Sequence, residues 1–104
     1  MKIFITGGSG LLGQYLNIEL SKKHEILAQY QTNIGNCKEF NSVQMAITDY
    51  EKLTQVFSSF KPEIVIHTAA VSKQEFVDKL SNKTVYEINV NAAKKIAELC
   101  NQYK

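Results

Sequence analysis

Arginine is absent from this sequence. All twelve basic residues are lysines, they form no stripe, and the formal net charge is only +2. A nucleic acid or other polyanion is therefore not an expected partner. Cysteine is scarce: Cys37 and Cys100 lie far apart with no C-x-x-C spacing, which reads as two free thiols in a reducing compartment. No apolar run approaches the ~18 residues of a membrane span. The opening Met-Lys-Ile-Phe-Ile is too short an apolar stretch for a signal peptide. A cytoplasmic protein with no membrane partner is the expectation. Internal repeats and low-complexity segments are also missing. What remains is ordinary for one globular domain: 104 residues, 44% of them apolar and 21% charged.

The order of elements is legible. Lys2 to Thr6 is a β-prone run in which Ile3, Phe4 and Ile5 are apolar without alternation, the pattern of a strand buried on both faces of a parallel sheet. Leu11 to Lys23 follows as an amphipathic helix on Leu12, Leu16 and Leu20, with Lys22 and Lys23 placed in its last turn to suit the dipole. Glu25 to Tyr30 is a second strand, and the Asn- and Gln-rich residues 31 to 41 read as loop. Ser42 to Ile47 is a weak third strand. Thr48 and Glu51 have capping-box spacing, and the helix behind them carries Leu53, Val56, Phe57 and Phe60 until Pro62 ends it. Residues 63 to 70, "EIVIHTAA", form the clearest strand. Residues 71 to 82 are polar and irregular, and a last helix carries Val85, Ile88, Ala92, Ile96, Leu99 and Tyr103 at steps of three and four. Alternating strands and helices imply an α/β fold. The expected architecture is a Rossmann-type doubly wound parallel sheet, truncated, with strand order 3-2-1-4, formed by residues 1–104 as a single partial domain.

Between the first strand and first helix stands "GGSGLLG", with Gly7, Gly10 and Gly13 in G-x-x-G-x-x-G register. That context strengthens an otherwise weak motif. Gly7 permits a tight turn with positive φ. Gly10 lets the backbone approach a pyrophosphate. Gly13 lets the helix pack close to the sheet. The helix N-terminus supplies unpaired N–H groups and a positive dipole end. Ser9 and the backbone of Leu11 and Leu12 are further donors. A glycine turn that serves only packing does not need three glycines in register.

"ITGGSGLLG" resembles the T-G-x-x-G-x-x-G fingerprint of the extended short-chain dehydrogenases/reductases. "ITDYEKLTQVFSSFKPEIVIHTAA" and "YEINVNAAKKIAELC" are similar to later blocks of the same family. Within it, the chain most resembles the dTDP-4-dehydrorhamnose reductase-like branch. The resemblance covers essentially the whole chain and implies a dinucleotide cofactor and a nucleotide-sugar oxidoreductase or epimerase. It also implies that Ala69 and Ala70 pass close to that cofactor, and that Asn89 matches a characteristic Asn holding a water or backbone group near the active site. A helix-surface Asn is the other reading of Asn89.

Three departures from the family pattern matter. NAD-preferring members carry an acid at the end of the second strand, for the ribose 2′-OH; the matching residue here is Tyr30, flanked by neutral Gln29 and Gln31. This favours NADP over NAD, with Lys38 or Thr32 standing in for the arginine that other members place on the 2′-phosphate. Relatives often have Asp where this chain has Ala46, so contact with the adenine falls to backbone at Ile47. Finally, the family's chemistry uses a Tyr-x-x-x-Lys pair with a Ser or Thr. Tyr15, Tyr30, Tyr50 and Tyr86 are followed four residues later by Glu19, Ile34, Thr54 and Val90, so none forms the pair. In relatives those groups lie beyond the position matching residue 104. The resemblance thus implies a dinucleotide-binding half without the catalytic half, and no catalytic residue is assigned here.

His67, inside the fourth strand, reads as a buried hydrogen-bonded residue rather than a general base, and His24 as exposed. Cys100 reads as helix packing and Lys94-Lys95 as a solvated face. Two function classes follow: the amino-terminal portion of an NAD(P)-dependent oxidoreductase, or a non-catalytic dinucleotide-binding regulatory module of the kind this branch also contains. Assembly is a further expectation. The fourth strand would be an unblunted edge, and the stripe of Ile88, Ile96 and Leu99 would be left partly in water. Both point to a homo-oligomer paired through the fourth-strand edge.

Overall fold

The computed structural model describes residues 1–69 and 87–103. Its centre is a four-stranded parallel sheet: β1 (Lys2–Thr6), β2 (Glu25–Tyr30), β3 (Ser42–Gln44) and β4 (Ile64–His67), in the order β3-β2-β1-β4. Ile3 pairs with Ile26 on one side and Ile64 on the other, and Thr6 pairs with His67. Because side chains alternate across a strand, the uninterrupted Ile3-Phe4-Ile5 run feeds two cores. Ile3 and Ile5 join Ile26 against Leu16 and Leu20 of α1 (Leu11–Ser21). Phe4 joins the larger cluster built by α2 (Tyr50–Phe60) and α3 (Ala92–Gln102), which buries Leu53, Val56, Phe57, Ala92, Ile96 and Leu99.

Several boundaries differ from the sequence expectation. α1 ends at Ser21 and Lys22 is its C-cap, so the two lysines follow the last turn; Lys22 instead pairs with Glu19 at the surface, 3.3 Å away. Leu12 is 57% exposed and takes no part in the α1 stripe. β3 stops at Gln44, because Met45 and Ile47 turn inward to the Phe4 core. The N-cap of α2 is Asp49, not Thr48: its carboxylate accepts the Lys52 N–H at 3.2 Å. Lys61 closes α2 in the left-handed region (φ 55°), where the residue before Pro62 escapes the helical conformation that proline disfavours.

Within residues 31 to 41 lies a 3₁₀ turn, Gly35–Glu39, that buries Cys37. A π turn, Glu87–Asn91, leads into α3. Residues 71 to 82 and Val85 lie outside the described residues. His24 is half-buried, and its buried Nδ1 has no partner among the described residues. Ile96 and Leu99 are 5% and 2% exposed. For these two the expectation that a second chain must cover them is overturned, since α2 and the sheet already do so; the burial of the Ile88 side chain lies outside what the structure describes.

Candidate functional site

β1 runs into α1 on one face of the sheet, whereas β4 neighbours it and precedes α3 on the other face. Their carboxyl ends therefore meet at the point where the winding reverses, the place where open α/β sheets take ligands. Thr6, fully buried, ends β1 at that point. Its Oγ1 accepts the N–H groups of Thr68 at 3.0 Å and Ala69 at 3.2 Å, and lies 2.7 Å from His67 Nδ1. Two donors occupy both lone pairs of the hydroxyl, so its one proton goes to Nδ1. His67 is then the neutral Nε2–H tautomer. Burial acts in the same direction and lowers its pKa below the ordinary imidazole value. His67 is a hydrogen-bonded strand residue, as its place in the sequence suggested. The Thr68 hydroxyl donates toward the carbonyls of Thr6 and Gly7, which ties β4 to the start of the glycine loop.

Gly7 has φ +69°, and a Cβ on it would stand 2.8 Å from the Ala69 nitrogen. Both the turn and the approach of β4 therefore exclude a side chain. At Gly13 a Cβ would meet the Gly7 carbonyl oxygen at 2.1 Å. The close approach expected there is real, but it is made to the loop backbone rather than to the sheet. Gly10 is the exposed N-cap of α1, extended (φ −74°, ψ 174°) and without a side-chain cap.

The backbone polar groups of Gly7 and Gly8 are all engaged inside the protein. Gly7 N–H donates to Gln29 Oε1 at 2.8 Å and Gly8 N–H to the Gln29 carbonyl at 2.7 Å. The Gly7 carbonyl accepts Gly10 N–H at 3.0 Å, and the Gly8 carbonyl accepts Asn17 Nδ2 at 2.9 Å. What can face an anion is the Ser9 hydroxyl together with the first N–H groups of α1, at Leu11 and Leu12, which have no acceptor within the helix. Leu11 is 92% exposed, so that turn is open to a ligand. These donors, at the positive end of the helix dipole, fit a pyrophosphate.

The other expected site residues are placed as follows. Tyr30 ends β2, half-buried and opposite Gln44, one residue beyond the Gln29 that holds the loop. Lys38 and Thr32 are both exposed. The Ile47 side chain is buried in the Phe4 core, which leaves only its backbone for a ligand. Ala69 lies against Gly7, and Ala70 is outside the described residues. Asn89 is half-buried in the π turn ahead of α3. Reading the sequence missed Gln14, Asn17, Gln29 and Asn36, which hold the loop from behind. One signal was available: Asn17 stands four residues after Gly13, on the face of α1 turned to the sheet.

The family model described as RmlD substrate binding domain matches residues 1–104. The dTDP-D-glucose 4,6-dehydratase of Dictyostelium discoideum is 36% identical over 116 residues, covering 99% of this chain and 26% of that protein. The hypothetical dTDP-4-dehydrorhamnose reductase from Sulfolobus tokodaii superposes with a TM-score of 0.86 at 25% identity, over 99% of this chain and 36% of that one. WbmG of Bordetella bronchiseptica, solved in complex with NAD, gives 0.79 at 28% identity, over 99% and 34%. The chain spans about a quarter to a third of the length of these relatives. With its glycine loop and 3-2-1-4 sheet, it belongs to the RmlD substrate binding domain family of the extended short-chain dehydrogenases/reductases and corresponds to their amino-terminal portion.

Proposed function

We propose that these residues form the dinucleotide-binding portion of an oxidoreductase acting on a nucleotide sugar, of the dTDP-4-dehydrorhamnose reductase kind. The observation that carries this reading is the loop itself. Gly7, Gly8 and Gly13 are sterically compelled, the inner polar groups are satisfied, and the outward donors converge at one helix N-terminus. In this reading Ser9, Gly10, Leu11 and Leu12 hold the pyrophosphate, backbone at Ile47 meets the adenine, and Ala69, Ala70 and Asn89 line the nicotinamide side. Tyr30 in place of an acid, with Lys38 and Thr32 exposed nearby in sequence, supports NADP over NAD. The bound dinucleotide would supply the hydride. The 104 residues alone bind it and do not transfer that hydride, since no Tyr-x-x-x-Lys pair is present to move the proton.

Calorimetric titration with NADP(H) and NAD(H) tests the reading. Heat with both, and tighter binding of NADP(H), is expected; no heat with either at millimolar ligand overturns it. Cofactor-dependent reduction of a nucleotide 4-keto sugar by the purified chain would overturn the inactivity. Cytoplasmic location belongs to the same proposal; among the described residues no helix is long and apolar enough to cross a membrane.

Self-assembly is the remaining element. Among the described strands β4 is an edge, Ile64 on it is 41% exposed, and no charge interrupts Ile64 to His67. An antiparallel pairing of two β4 edges about a two-fold axis is expected. Light scattering at micromolar concentration checks it, and a stable monomer would refute it.

A further inference from the structure

The glycine loop is held from behind by a polar clasp. Asn17 is fully buried in α1, yet its amide makes no bond that stabilises the helix. Its Nδ2 donates to the Gly8 carbonyl at 2.9 Å and to Asn36 Oδ1 at 2.9 Å, while its own Oδ1 has no partner among the described residues. Asn36 in turn donates through Nδ2 to the Gln14 carbonyl and through its backbone N–H to Gln14 Oε1. Gln14 Nε2 reaches back to the Ser9 carbonyl at 3.1 Å. The chain of bonds starts and ends on the loop, with the Gly35–Glu39 turn as its brace.

Stability alone disfavours this choice of residue. Asn is a poor interior helix former, and a buried acceptor without a partner is a direct loss. The amide also has only one usable orientation. Turning it over would set Oδ1 against two acceptors, the Gly8 carbonyl and Asn36 Oδ1. What the clasp accomplishes is directional: it keeps the Gly8 carbonyl pointing inward. The Gly8–Ser9 peptide is one rigid plane, so an inward carbonyl sets the Ser9 N–H on the opposite side. Were that peptide to flip, the Gly8 carbonyl would leave Asn17 and turn its dipole outward, beside the Ser9 hydroxyl and the open first turn of α1.

We propose that Asn17, braced by Asn36, is a positioning residue that fixes the Gly8–Ser9 peptide so that the loop presents donors and no carbonyl to the pyrophosphate of a bound dinucleotide. The inference rests on the dinucleotide reading and deepens it. It requires that Asn17 act on phosphate-bearing ligands and leave recognition of the adenosine moiety untouched.

The test compares ADP-ribose with adenosine, by amide-shift titration of the purified chain, for the wild type, Asn17→Leu and Asn36→Ala. Asn36 sits in a half-exposed turn, so its variant keeps the test available where Asn17→Leu fails to fold. For Asn17→Leu, ADP-ribose affinity is expected to fall about tenfold or more, the loss of a bond to a charged group, with adenosine unchanged. Asn36→Ala is expected to give a smaller loss of the same selectivity. Equal weakening of both ligands would assign Asn17 a structural role only and overturn the inference, as would unchanged ADP-ribose affinity in the variants. A wild-type chain that binds neither ADP-ribose nor NADP(H) would overturn the dinucleotide reading, and the inference with it.

Discussion

On the face of the sheet that carries α2 and α3, nine residues from Phe4 to Leu99 are buried in one apolar cluster. On the α1 face the apolar cluster is Ile3, Ile5 and Ile26. Toward the carboxyl end of the strands, that same face is filled by Gly8, Gly13, Asn17 and Cys37, packed without room for a methyl group. One side is held together by apolar area, which is nondirectional and tolerates changes that conserve volume. The other is held by close backbone contact and hydrogen bonds, which tolerate neither bulk nor a lost donor. The larger cluster supports the fold, and the smaller side shapes the site. Even the Cys37 thiol fits this division: Asn17 Nδ2 also reaches its Sγ, at 3.7 Å, yet burial outweighs that bond and raises its pKa, so it packs rather than reacts.

Substitutions can break or sharpen this contrast. The largest effect is expected on the α2/α3 face. Phe57 is 1% exposed and meets the Phe4 ring edge-on at 6.2 Å and Tyr103 at 6.1 Å. Phe57→Ala should cost about 4 kcal/mol in a urea titration, while the fraction that stays folded keeps its dinucleotide affinity. A parallel loss of affinity would show that the two faces are not separable.

Gly13→Ala comes next. Its Cβ would stand 2.1 Å from the Gly7 carbonyl oxygen, so α1 must shift away from the loop. A loss of about 3 kcal/mol is expected, together with dinucleotide binding. Retained binding would mean that the loop does not depend on the seat of α1.

Asp49→Ala removes the α2 cap and should cost about 1 kcal/mol, read from the urea midpoint, with no change in affinity. The smallest effect is on pH. His67 is neutral in the fold and its pKa is lowered. The unfolded chain therefore takes up the proton first. The contribution of His67 to stability is complete above about pH 6.5, the ordinary imidazole value, and is lost as the pH falls below it. Urea midpoints between about pH 5 and 8 should show that slope, and His67→Gln should flatten it. An unchanged slope would return His67 to the solvent and remove its proton bond with Thr6.

The glycines, the strands and the helical faces were legible because each is a local statement. Continuous Ile3-Phe4-Ile5 can only be a strand covered twice, and Leu53, Val56 and Phe57 can only be one face of a helix. Local signals misled where neighbours compete. Thr48 and Asp49 both cap well, and the chain used Asp49. Leu12 keeps the four-residue spacing of Leu16 and Leu20, yet it stands in the first turn of α1 and is exposed. Lys22 and Lys23 follow an apolar helix that simply ends two residues earlier than expected, at Ser21.

The sequence by itself determined the parallel sheet, its order, the position of the glycine loop and the absence of a Tyr-x-x-x-Lys pair, because periodicity, glycine spacing and residue identity are properties of the chain read in one dimension. Only the tertiary structure decided which polar residues hold that loop. Gln29 comes to Gly7 from 22 residues away, Asn36 to Asn17 from 19, and Thr68 to Thr6 from 62. Hydrogen bonds are short and directional, and nothing in the spacing of such residues marks the partners until folding brings their elements to the same end of the sheet.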